Sequence, residues 1–390
     1  LHSSTRRQRQ MCIRDSYSAR TIDNSIAGSY DVDATSLNWR IMDDLAVRYS
    51  EQTAVKAPDL GDLFLPQITA FSRADDPCDY RFRDVGRNPE QRRANCDAEG
   101  IPADFVSLVV NATARGVTGG NPNLINEVAD TVSTGIVYQP NWWGDVFFGS
   151  LNLAADYIEI QLNDYVTSFS LSQNMAACYD YDTYPNSQFC DSFTRDADFE
   201  VVDFQTGLIN AGLIDFATYV YKADFAFDVA ELASFVSREN VAMDLGSMAV
   251  RWRATQEDFF ASADSGAAED LSSATGQFGN DEWFYDTAVE WVYGDWYVWV
   301  QGNSRSGGVI DINRQYDDEY LGYDGNPIYE FDGYTTYNGG VGYYVNDDTT
   351  LRVNFYNLMD YDGFEEDVFT PEADLLFIGR QVNASLNVRF

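Results

Sequence analysis

Residues 380–390 alternate without a break. Val382, Ala384, Leu386, Val388 and Phe390 fall on one side, Gln381, Asn383, Ser385, Asn387 and Arg389 on the other. A side-chain period of two is the signature of a strand whose faces meet different surroundings. Comparable runs occur at 45–50, 131–138, 151–162, 216–221, 241–252, 286–293, 296–302, 339–345 and 349–356, with almost nothing helical between them. In the last of these Leu351, Val353 and Phe355 oppose Arg352 and Asn354. The run from Leu151 changes phase between Tyr157 and Ile158, which predicts a β-bulge there. Alternation gives about twelve strands in all. Short turns such as Asn346-Asp347-Asp348 alternate with long connections at 66–127, 163–197 and 256–281.

Periodicity alone fits both a soluble two-faced sheet and a membrane barrel. No apolar run approaches the eighteen or so residues of a membrane helix, a test that barrel strands escape because only alternate residues face lipid. The unequal connections favour the barrel, where short periplasmic turns alternate with long external loops. Aromatic residues make up 15% of the chain, enough for interfacial anchors. Trp283, Trp291, Trp296 and Trp299 flank a hairpin signal at Gly294-Asp295 and read as part of an aromatic girdle, or as core packing in a sandwich. The expected fold is all-β, an antiparallel transmembrane β-barrel.

Charge and chemistry narrow the function. With 62 carboxylates against 25 basic residues the net charge is -37, which excludes nucleic acid as a partner. The acid-rich stretches 316–326 and 360–367 read as solvated loops, or as places for a cation or substrate. The one histidine is His2, so His-based triads and His-ligated zinc have no basis, and no catalytic residue, metal or cofactor is expected. Cys78, Cys96, Cys178 and Cys190 form two close pairs in polar, turn-rich segments. They read as disulfides Cys78–Cys96 and Cys178–Cys190 made in an oxidising compartment, against the alternative of four free thiols. Residues 1–16 carry several Arg and no apolar core, unlike a signal peptide, and read as a non-native leader ahead of 17–390.

Several motifs, in order, resemble the C-terminal half of TonB-dependent receptors. Residues 48–64 (RYSEQTAVKAPDLGDLF) resemble the family's strand followed by R-A-P-N-L-G-E-L-F, with Lys56 in place of Arg. Residues 119–130 (GGNPNLINEVAD) resemble its G-N-P-N-L-x-P-E-x-A-D turn, with Asn126 in place of Pro. Residues 355–360 (FYNLMD) are similar to its N-L-F-D segment, and Ile378-Gly379-Arg380 to the G-R that opens the last strand. Leu386, Val388 and Phe390 resemble the signal that the barrel-assembly machinery reads.

The resemblance implies a Gram-negative outer-membrane receptor that sits in lipid, binds a scarce solute and imports it with energy relayed by TonB. It implies no enzyme. No plug, coupling segment or early strands are legible, so the chain reads as a partial barrel of about twelve strands against twenty-two in a whole one. Siderophore, vitamin B12-like cofactor and oligosaccharide are all open as substrates. Tyr179, Tyr181, Tyr184, Tyr316 and Tyr320 are the candidate binding residues, with ordinary loop packing as their alternative. Two other functions compete: a passive porin-like channel, and a secreted glycan-binding β-sandwich.

Overall fold

A computed structural model describes residues 12–26, 28–263, 271–277, 279–309, 330–361, 363 and 379–389. The chain begins with β1 (Cys12–Asn24), β2 (Gly28–Met42) and β3 (Leu45–Lys56), then α1 (Leu60–Phe64), β4 (Ile68–Ser72) and α2 (Pro89–Glu99). Next come β5 (Ala114–Gly119), β6 (Glu127–Tyr138), α3 (Trp143–Val146), β7 (Ser150–Ser168) and α4 (Leu171–Tyr179). The middle holds β8 (Phe193–Arg195), β9 (Val201–Asp228), α5 (Val229–Ser237), β10 (Ser247–Ala263) and β11 (Ser272–Ser273). It ends with β12 (Trp283–Tyr293), β13 (Trp296–Arg305), β14 (Gly308–Val309), β15 (Glu330–Phe331), β16 (Tyr334–Asn346), β17 (Thr349–Tyr356) and β18 (Gln381–Val388).

Twelve of these strands form one antiparallel path, β1-β2-β3-β6-β7-β9-β10-β12-β13-β16-β17-β18, which does not close on itself. Each strand pairs with its predecessor on that path, as an up-and-down barrel wall requires. A sandwich would need two sheets packed about 10 Å apart, so the single path overturns that alternative. Connections at one end are 43–44, 139–149, 229–246, 294–295 and 347–348; those at the other end include 57–126, 169–200 and 306–333.

Residues paired across antiparallel strands share a face. Leu351 therefore lies beside Tyr343 and Leu386, Val298 beside Trp291 and Val341, and Val250 beside Phe225 and Val289. The opposite face is polar: Arg251 lies between Asp224 and Ala288, Arg253 between Lys222 and Asp286, and Arg352 between Gly342 and Ser385. On the apolar face Trp283 stacks with Tyr285 (5.5 Å) and Tyr221 (6.2 Å) near the long-loop end, while Trp291 stacks with Tyr293 (5.7 Å) near the short-turn end. The ten steps from Trp283 to Tyr293 span about 34 Å of strand, or about 26 Å at a tilt of about 40°, the height of an outer-membrane apolar band.

Four expectations change. The strand carrying Tyr157 and Ile158 has no bulge there: its pairing with β6 runs unbroken from Tyr138↔Leu153 to Val128↔Asn163, and the irregularities against β9 lie at Leu162, Tyr165 and Val166. What shifts is the environment. Beyond the aromatic ring Tyr157–Tyr219 (4.9 Å) the outward positions become Glu159 and Gln161, while Ile158, Ile160 and Leu162 turn to the inner face. Trp299 leaves the girdle, since it pairs with Glu290 and Gly340 on the polar face. Part of the presumed leader also joins the sheet. Cys12–Ser16 pair with Ser36–Arg40, and the Ser16 and Ser36 hydroxyls meet at 2.7 Å. Finally, the 66–127 and 163–197 stretches are folded: they carry α2, α4 and a buried core of their own.

Candidate functional site

The connections 57–126 and 169–200 build one unit at the long-loop end. Its core contains Cys78, Cys96, Leu171 and Met175, all 0% exposed, together with Phe189, Phe193 and Phe204. The disulfides fall as expected, Cys78–Cys96 and Cys178–Cys190, with Cα atoms 5.6 and 4.8 Å apart. Helix α2 starts on Asn88, whose side chain accepts from the Gln91 N–H, has Pro89 at its first turn and stops on Gly100 at φ 90°. Helix α4 starts on a Ser170–Gln173 capping box. These signals set local helices where strand periodicity is absent.

Buried ion pairs lock the two connections together. Arg195 Nη1 and Nη2 donate to both oxygens of fully buried Asp76 at 2.8 and 2.7 Å, and Arg92 holds Asp180 through Nε and Nη2 at 2.5 and 2.7 Å. Burial works against the Arg195 charge, but Asp76 outweighs it and holds the guanidinium above its usual range. Arg195 Nε also donates to the Tyr179 hydroxyl at 2.9 Å, and that hydroxyl donates to Glu99. Tyr184 donates to the same Glu99 oxygen at 3.1 Å and stacks on Tyr179 with ring centroids 5.3 Å apart. Burial is the main cause of the raised pKa of both phenols, that of Tyr184 to about 12, so both stay protonated as donors. Asp79 goes the other way. Burial opposes its charge, but the Arg81 guanidinium and the backbone N–H groups of Arg81 and Ser107 hold its carboxyl below the usual range.

This places the candidate tyrosines. Tyr179, 1% exposed, is core rather than contact surface. Tyr184 is half-buried against it, and the Tyr181 carbonyl accepts from Asn95 Nδ2 at 2.8 Å. Tyr316 and Tyr320 lie outside the described residues, as does Phe390. Leu386 and Val388 sit on the apolar side of β18. Sequence reasoning passed over the arginines of the network. For Arg81 and Arg92 the signal was six Arg from position 73 to position 93 of an otherwise acidic chain; Arg195 stands apart from that cluster.

Motifs far apart in sequence meet at the rim. Lys56 pairs with Glu127 at 2.8 Å, the Asn121 N–H donates to the Asp62 carbonyl at 2.8 Å, and the Gly120 N–H to the Leu65 carbonyl at 2.9 Å. A Cβ on Gly120 would stand 2.6 Å from the Leu65 nitrogen, so only glycine allows this approach. Asn357, at φ 50°, closes a turn by bonding Tyr361 in both directions, and Asp360 accepts from the Arg380 N–H at 2.7 Å as the last strand opens. A polar cleft of about 460 Å³ opens beside Gly120, lined among others by Asn121, Asn123, Asp164, Gln188, Asp191 and Asn210. Below it, the polar wall of the sheet carries Arg48–Asp156, Arg253–Asp224 (2.7 Å) and Arg251–Glu290. Gly135, between the strands of Arg48 and Asp156, leaves the room that their contact needs.

The open path of consecutive antiparallel strands has the architecture of part of a β-barrel wall. A mutant of the ferric enterobactin receptor of Pseudomonas aeruginosa matches over 97% of this chain and 43% of its own, with a TM-score of 0.58 at 13% identity. The siderophore receptor PirA of Acinetobacter baumannii matches the same shares, 97% and 43%, with a TM-score of 0.56 at 13% identity. The chain thus spans less than half the length of these receptors, and its likeness to TonB-dependent receptors holds at the level of the fold. No protein-family model and no curated relative matches the sequence.

Proposed function

We propose that residues 17–390 form the C-terminal part of the barrel of an outer-membrane receptor that binds a scarce solute at the cell surface and imports it with energy relayed by TonB. The observation that carries this reading is a two-faced twelve-stranded wall capped at one end by a rigid, disulfide-stapled unit. An apolar outside suits lipid and a polar inside suits a watery lumen. An open sheet would leave two backbone edges in hydrocarbon, each unsatisfied group costing several kcal/mol. Further strands, a plug and the TonB contact would complete the receptor. Leu386 and Val388, with Phe390, would present the last strand to the barrel-assembly machinery, and the acidic total would be carried by loops facing the medium.

The substrate would meet the polar cleft and the ion-paired wall, both rich in hydrogen-bonding groups. Siderophore, cofactor and oligosaccharide share that need, and an iron chelate comes first because the matched receptors are named for ferric enterobactin and siderophores. The test is uptake of radiolabelled chelates by cells whose sole receptor is the intact protein, with and without functional TonB. Uptake of one of them that disappears without TonB is expected. Solute entry indifferent to TonB would instead identify a passive channel.

A further inference from the structure

At the short-turn end, three connections are as short as antiparallel strands permit, 43–44, 294–295 and 347–348, whereas 139–149 and 229–246 are far longer and each contains a helix. Both fold outward over the apolar face instead of across the lumen. The Phe148 ring lies 5.4 Å from Phe225, 5.3 Å from Phe227 and 5.3 Å from Phe235 of α5, while Trp143 meets Phe225 edge-on at 6.3 Å. Phe225 and Phe227 belong to the apolar rows of Val250 and Met248. The far side of the second connection is tied down where the Trp291 Nε1 donates to the Leu245 carbonyl at 3.0 Å, and the Gly149 N–H donates to Glu231 at 3.1 Å, joining the two connections.

Their outer surfaces stay apolar. Trp142 is 46% exposed, Val146 59%, Phe235 49%, Val236 72% and Met243 65%. A short helix with such a face, continuous with the lipid-facing rows of the sheet, has the form of an interfacial membrane element. Charge selects the surface. The two connections hold Asp145, Glu231, Glu239 and Asp244 against Arg238, which disfavours anionic headgroups.

We infer that 139–149 and 229–246 form an interfacial collar that seats α3 and α5 among zwitterionic phospholipid headgroups at the short-turn end of the sheet. This rests on the membrane reading above. The collar widens the aromatic girdle locally and fixes the depth and tilt at which strands β6, β7, β9 and β10 sit in the bilayer.

The test uses the intact protein in vesicles of phosphatidylethanolamine and phosphatidylcholine, carrying Cys12→Ser and one nitroxide at a time. Labels replace Val236 in the collar, Val300 on the apolar face, or Glu90 in the loop unit, all exposed positions that tolerate a label. Accessibility to oxygen is compared with accessibility to a water-soluble nickel chelate. The expected oxygen-to-nickel ratio at Val236→Cys is several-fold above that at Glu90→Cys and below that at Val300→Cys. A ratio at Val236→Cys equal to that at Glu90→Cys, with Val300→Cys still in lipid, overturns the collar and leaves the membrane reading intact. Water-like ratios at both Val236→Cys and Val300→Cys sink the membrane reading itself. A Val236→Cys label shielded from both reagents, with dipolar broadening, would assign the surface to a second copy of the chain and also overturn the inference.

Discussion

The loop unit and the sheet are stabilised in opposite ways. In the unit, apolar side chains are enclosed by the chain itself, two disulfides close its loops, and its buried charges are paired. In the sheet, apolar side chains of strands paired on both sides, such as Ile136 and Val300, remain 44% and 43% exposed, and backbone pairing supplies the cohesion. The unit carries its own solvent shield, while the sheet needs one from outside. The two regions should therefore respond separately to substitutions that open a core and to substitutions that change a face.

The sharpest way to break the unit alone is Arg195→Ala. It strands the fully buried Asp76 carboxylate, and losing one partner of a buried pair costs about 3–5 kcal/mol. Hydrogen exchange should rise across 57–126 and 169–200 while the sheet amides hold. Equal loosening of the sheet would show that the two regions fold as one. Replacing Cys178 and Cys190 by Ser should act in the same place, at about 2–5 kcal/mol, read as proteolytic nicking of the loops on intact cells. Reduction of the wild-type protein should mimic it.

The converse experiment targets the wall. Val300→Arg puts a charge on the apolar face, a cost of about 2–4 kcal/mol at mid-bilayer, whereas Gln301→Arg, one position along on the polar face, should be nearly silent. Folding yield in lipid vesicles separates the two, and similar yields would undo the assignment of faces. The smallest effect is that of pH. Because the folded Asp79 carboxyl titrates below its unfolded value, near 3.9, its contribution is complete above that value and is lost as pH falls through the folded one. The loop unit should loosen in acid before the sheet does, and Asp79→Asn should flatten that dependence in a protease-sensitivity profile.

Ten of the twelve wall strands were legible as alternating runs, because a strand whose two faces meet different surroundings changes polarity at every residue. The two missed ones mark the limits of that signal. Strand β1 overlaps the segment 1–16 that reads as a leader, and β2 changes phase at Thr35-Ser36, its apolar residues being Tyr30, Val32 and Ala34 before that point and Leu37, Trp39 and Ile41 on the opposite face after it. Residue period also does not separate a bulge from a change in which face is apolar along an unbroken strand, so the exchange of faces at Tyr157 read as a bulge. In the site, the cysteine pairs were legible from spacing. The role of Tyr179 was not, because an aromatic residue in a polar loop looks the same whether it meets a ligand or a core.

By itself the sequence determined the strand period, the unequal connections, the cysteine pairs and the rim motifs, all of which are local or set by spacing along the chain. Only the tertiary structure decided that Arg195 meets Asp76 and that Lys56 meets Glu127, 119 and 71 positions away, and that the 139–149 and 229–246 connections turn outward. Those contacts depend on which strands become neighbours, and neighbourhood across a sheet follows from pairing many residues apart, which no local pattern encodes.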